Sequence, residues 1–175
     1  MRLCDVMLSF PAISIALMIA GVARAIYPNA NEQVSFGVLI VAISLTGWVQ
    51  YARTVRGSTL VERGKEYVQA ARVTGVSSMK IMYRHVLPNV TGPVLVLATV
   101  QLATAIITEA TLSFLGVGVP PTSPSLGTLI NNGNAVLFSG EWWVLLFPAG
   151  MLILIALSVN LLGDWLRDAL NPRLN

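Results

Sequence analysis

Residues 53–85 read RTVRGSTLVERGKEYVQAARVTGVSSMKIMYRH, and uncharged runs stand directly on either side of them, 33–52 and 86–108. At about 1.5 Å per residue, each run is long enough to cross ~30 Å of hydrocarbon as a helix. Two further runs, 6–23 and 142–163, are equally free of Asp, Glu, Lys, Arg and His. The 175 residues are 55% hydrophobic and only 11% charged, whereas an ordinary soluble domain is roughly a quarter charged. With a mean hydropathy of +0.72, the chain is expected to be an all-α membrane protein of about four transmembrane helices, with spans at 4–23, 34–53, 90–115 and 143–164. Between them lie a basic loop, 54–89, and a second loop, 116–142, whose prolines, glycines and asparagines leave room for one short helix near 126–137.

Seven of the eleven basic residues fall in the quoted segment: Arg53, Arg56, Arg63, Lys65, Arg72, Lys80 and Arg84. Against Glu62 and Glu66 they leave it a net charge of +5. Basic residues near span ends stay cytoplasmic, so this loop lies inside and the others alternate. Both termini then lie inside, with Arg2, Arg167 and Arg173, and Arg24 is alone outside. Topology thus accounts for the isoelectric point near 9.4 without a nucleic-acid partner. Cys4 and His85 are the single cysteine and histidine, too few for an intrachain disulfide or a zinc site. Residues 1–25 loosely imitate a secretory signal. Asp5 in what would be its basic region, and Pro11 inside the apolar run, argue instead for a retained, kinked span.

Within the loop, 58–74 reads as an amphipathic helix with Tyr67, Ala70, Ala71 and Thr74 on one face at i, i+3, i+4 and i+7 spacing. Gly75 stops it, Ser77 or Ser78 can cap a second helix over 79–87, and Pro88-Asn89 closes that one. The alanine pair makes a flat knob suited to docking in a partner's groove. The residues alone equally allow a helix lying on anionic lipid, held by its arginines.

Gln69-Ala70-Ala71, followed by Gly75 and then Leu87-Pro88, resembles the Glu-Ala-Ala cytoplasmic loop of binding-protein-dependent ABC importer permeases. The likeness extends through Met1-Arg2-Leu3-Cys4-Asp5 with Ser9-Phe10-Pro11, Gly47-Trp48, Glu66-Tyr67-Val68 and Arg84-His85-Val86-Leu87-Pro88-Asn89. It continues in Glu109-Ala110, Leu112-Ser113-Phe114-Leu115-Gly116, Asn160-Leu161-Leu162-Gly163-Asp164 and Asn171-Pro172-Arg173. Taken in order, these strings are similar to the dipeptide/oligopeptide/nickel subfamily over nearly the entire chain.

The resemblance implies a type I ABC transmembrane domain in the bacterial cytoplasmic membrane. Its expected partners are two cytoplasmic ATPase subunits, a second permease and an external solute-binding protein. ATP and Mg would be bound by the ATPases, with no cofactor in this chain and no enzymatic chemistry of its own. Glu66, Gln69, Ala70, Ala71, Gly75, His85, Leu87 and Pro88 would form the ATPase-coupling site. Two departures stand out: Gln69 replaces the motif's Glu, and His85 follows the peptide subfamily rather than the general pattern. Peptides are the implied solute, with nickel, heme or saccharides as alternatives. The likeness begins at the family's third span, so Met1 looks like an internal methionine and the fold is expected to be N-terminally truncated.

Other polar residues have plainer expectations. Glu109, near the outer end of its span, is expected to be structural, Gln101, Gln50 and Asn160 to bond between helices, and Trp142 and Trp143 to sit at the interface. Asp164 with Arg167 and Asp168 reads as an inner-surface helix end. A membrane hydrolase is disfavoured because His85 sits in the loop and Asp5, Glu109 and Asp164 lie near span ends on different sides. A stand-alone channel or structural subunit is opposed only by the coupling-loop pattern.

Overall fold

The computed structural model describes residues 2–28, 31–120 and 122–169; Met1, Pro121 and the Leu170-to-Asn175 tail with Arg173 fall outside them. Among the described residues the chain is helical throughout, with no strand. In order come α1 (Arg2–Leu8), α2 (Ala12–Ile26), α3 (Glu32–Arg63), α4 (Glu66–Val73), α5 (Ser78–Ile81) and a π-helical stretch, Met82–Val86. Then follow α6 (Leu87–Phe114), α7 (Leu126–Val136), a 3-10 turn and α8 (Trp143–Ala169).

Among the described residues three helices are long and apolar enough to cross a membrane: Glu32–Arg63, the continuous Ser78–Phe114, and Trp143–Ala169. At the first expected span the kink at Pro11 is a full break, with α1 and α2 meeting at 83°. Pro11 has the extended ψ of 127° and no N–H to continue α1, while the Ser9 hydroxyl turns back to the Asp5 carbonyl at 3.0 Å. A fourth crossing exists only if this bent pair makes it together.

The loop departs from expectation twice. Residues 58–63 belong to α3, which runs on to Arg63, and the loop helix itself starts only at Glu66. Pro88-Asn89 closes nothing, because α5, the π-helical stretch and α6 form one rod. A proline inside an α-helix clashes with the carbonyl four residues earlier, and a wider π turn relieves that crowding. Leu87 N–H accordingly bonds five residues back, to the Met82 carbonyl.

α6 packs against α3 on one side and α8 on another, α2 lies on α3, and α7 fills the angle between α6 and α8. Lipid supplies no hydrophobic drive between helices, so close backbone approach must hold them. A Cβ on Gly163 of α8 would lie 2.5 Å from Thr99 Oγ1 of α6, and one on Gly133 of α7 would lie 2.6 Å from the Leu145 backbone. On Gly127 it would collide with the Ala110 carbonyl. The outside is apolar, as a lipid-facing surface requires: Ile153 is 66% and Phe147 71% exposed on α8. At the end of the bundle opposite α4, Ser123 donates to Glu32, and Asn131 Nδ2 donates to the Phe114 carbonyl at 2.6 Å.

Candidate functional site in the basic loop

α4 is a short helix with one buried and one bare face. Val68 is fully buried against Ile81, Val86 and Val90, and Ala71, Val76 and Val94 pack on the same cluster. At its end Gly75 takes φ +77°, Val76 N–H reaches back to the Ala71 carbonyl at 3.0 Å, and Gly75 N–H to that of Arg72 at 3.0 Å. This pair of bonds is a Schellman ending, in which the left-handed position favours glycine. It returns the chain so that Val76 covers the same apolar cluster as Ala71.

The expected face Tyr67-Ala70-Ala71-Thr74 is bare except at Ala71. Ala71 is half-buried in the chain's own core, and the Thr74 hydroxyl donates to the carbonyls of Ala70 and Ala71. Glu66, Gln69 and Val73 are exposed as well and form with Ala70 a bare stripe at i, i+3, i+4 and i+7, with Val73 88% exposed. The helical period holds, and the bare side extends beyond the expected face to Glu66, Gln69 and Val73. Val68, an isolated valine in a polar stretch, marks the inward side and is the sequence signal for the observed phase.

Gln69 Nε2 donates to the Gly64 carbonyl at 3.1 Å. A carboxylate in its place could only accept, so the departure from Glu gains a bond that fastens α4 to the end of α3.

A polar knot ties α4 to the two long helices. Tyr67 Oη donates to Glu62 Oε2 of α3 at 2.5 Å, and Asn89 Nδ2 of α6 donates to Tyr67 Oη at 3.2 Å. Asn89 Nδ2 also lies 2.7 Å from the His85 carbonyl, which is the second acceptor within reach of the phenol, at 3.2 Å. Glu62, 8% exposed, accepts from Lys65 Nζ at 2.6 Å as well. Desolvation, then donation to the Glu62 carboxylate, holds the Tyr67 phenol above its ordinary pKa. His85 thus contributes its backbone carbonyl, its half-buried ring standing 6.3 Å from that of Tyr67. Leu87 and Pro88 are exposed in the first turn of α6. Glu62, Asn89 and Val73 are absent from the site expected on sequence, and Tyr67 stands there only as part of the amphipathic face, since Glu62, Tyr67 and Asn89 meet only through folding across up to 27 positions.

The remaining polar candidates lie elsewhere. Glu109 accepts from Ser113 Oγ at 2.7 Å, Gln101 Nε2 reaches the Gly47 carbonyl of α3 at 3.4 Å, and Asn160 is exposed on α8.

A family model described as the binding-protein-dependent transport system inner membrane component matches residues 1–175. The chain belongs to this family. Among this family member's curated relatives, a Brucella suis biovar 1 protein assigned by name to a peptide transport system as its permease is 42% identical over 174 residues. A glutathione transport system permease protein of Escherichia coli O1:K1 is 37% identical over 174 residues. Each alignment covers 99% of this chain, but 55% and 54% of the respective relative. The chain therefore spans about half the length of the curated relatives it matches.

Proposed function

We propose that this chain forms the coupling part of a permease in an ATP-driven importer of small peptides or a related solute. α4 would dock by its bare face into a cleft of a cytoplasmic ATPase subunit. Two ATPases holding ATP and Mg, a second permease and an external solute-binding protein would complete the assembly. ATPase closure would draw the coupling helices of the two permeases together and rock the spans between inward- and outward-open states. The chain's own residues do no chemistry in this scheme. Loop 54–89 and both termini would be cytoplasmic, in a bacterial inner membrane, and loop 116–142 external. The names of the relatives favour peptide over nickel, heme or saccharide.

The observation that carries the proposal is a bare helical face fixed to two long helices at once. Glu66, Gln69, Ala70 and Val73 offer one bulky apolar group among small and polar ones. A helix lying in lipid would need a stripe of Trp, Phe or Leu there. The Glu62–Tyr67–Asn89 knot means that a force on α4 is delivered to both α3 and α6. In the full-length permease with its ATPases, Val73→Arg is expected to abolish ATPase co-purification and solute uptake while leaving membrane insertion intact. Retention of the ATPase at wild-type yield would refute the docking face. Ala71→Arg is a poorer probe, because Ala71 also packs in the chain's own core.

A further inference from the structure

The end of the bundle opposite α4 holds two cavities that no part of the coupling scheme uses. One, of about 260 Å³, is walled by Ala20 and Ala23 of α2, Val34 and Val38 of α3, and the loop after α6. The other, of about 330 Å³, is walled by Ser113 and Gly116 at the end of α6 and by Thr128, Asn131 and Asn132 of α7. Arg24 and Thr122 line both, so the two spaces adjoin at these residues.

The neighbouring charges leave Arg24 available. Of the carboxylates at this end, Glu109 accepts from Ser113, Glu32 accepts from Ser123, and Glu141 lines neither cavity. Among the described residues the ion pairs are Arg53–Asp5 and Lys65–Glu62, and neither involves Arg24. A guanidinium presents a planar fork of donors that matches a carboxylate with two parallel bonds. One cavity is just below and the other just inside the range of about 300–1,000 Å³ seen for ligand sites, enough for the end of a short peptide rather than a long one.

The geometry points to Arg24 as a carboxylate-binding residue that receives the C-terminus of a short peptide, with Thr122 beside it and the adjoining cavities taking the last residues. This rests on the proposed role in peptide import and adds a contact at the external mouth.

The test uses the full-length permease–ATPase complex in nanodiscs, with trialanine and trialanine amide as probes. Modification of Arg24 by phenylglyoxal is followed by mass spectrometry. Trialanine is expected to slow it at least threefold, the amide to leave it unchanged, and neither to alter modification of Arg56 or Arg63. Equal protection by both peptides, or none by either, overturns the carboxylate site. ATP-dependent uptake of trialanine, delivered by the binding protein, is measured in parallel on reconstituted complex. Uptake without protection of Arg24 rejects this site alone. Protection without uptake upholds the site and rejects the importer proposal.

Discussion

At the scale of single residues, Tyr67 joins three segments through one hydroxyl. Its replacement by Phe keeps the ring but removes the donation to Glu62 and the acceptance from Asn89. A net loss of about 1 kcal/mol is expected for such a bond, with a larger relative effect on transport, measured as uptake per complex at equal expression. The phenol's pKa is raised in the fold, so the stabilisation from this group is complete below its ordinary value of about 10 and is lost only as pH rises through the raised value. Subtracting a Tyr67→Phe alkaline absorbance titration from that of the wild type should isolate one phenol ionising above about pH 10. Ionisation at or below that value would contradict both the desolvation of the phenol and its contact with Glu62. None of these pairings is written in the sequence: Glu62 and Asn89 read as an ordinary loop acid and a helix-closing amide until the chain is folded.

Glycine shows how elements are set against one another, and the reason differs with position. Gly75 has open space around it but a φ of +77°, so a Cβ there costs roughly 1–2 kcal/mol in backbone strain alone. Gly75→Asn should retain more transport than Gly75→Val, since asparagine tolerates the left-handed region better. Similar losses in both would argue against a conformational cause. Gly127 and Gly133 have ordinary backbone but abut Ala110 and Leu145. Ala at either should separate α7 from α6 or α8 at about 1–3 kcal/mol and lower the detergent melting temperature. Gly57, on α3, has open space where a methyl group would stand, and should gain up to about 1 kcal/mol as Ala from helix propensity. The long helices were legible because uncharged runs of span length leave little alternative. The continuation of α3 to Arg63 and the π-helical passage through Met82–Val86 were not. Gly57 and Pro88 are local breakers whose cost the tertiary structure overrides, at Pro88 by widening the turn.

For the whole molecule, the proposed tasks fall at opposite ends of the same long helices. α3 and α6 run antiparallel, with the α4 knot at one end and the Arg24 cavities with α7 at the other. The distribution of basic residues singles out the α4 end directly, because lipid topology sorts arginines and lysines by side. It could not say which face of α4 was free, since that depends on Val68 finding Ile81, Val86 and Val90. A cysteine placed at Ser78 in the functional complex should react with a membrane-impermeant maleimide only from the cytoplasmic side, and one at Phe138, which is 97% exposed, only from outside. In the proposed importer α4 meets a protein rather than the lipid surface. Photo-crosslinking from position 73 in the assembled importer, with position 138 as the control, tests this most directly. A covalent adduct to the ATPase from 73 and none from 138 is predicted; adducts from 73 to lipid alone would contradict the account.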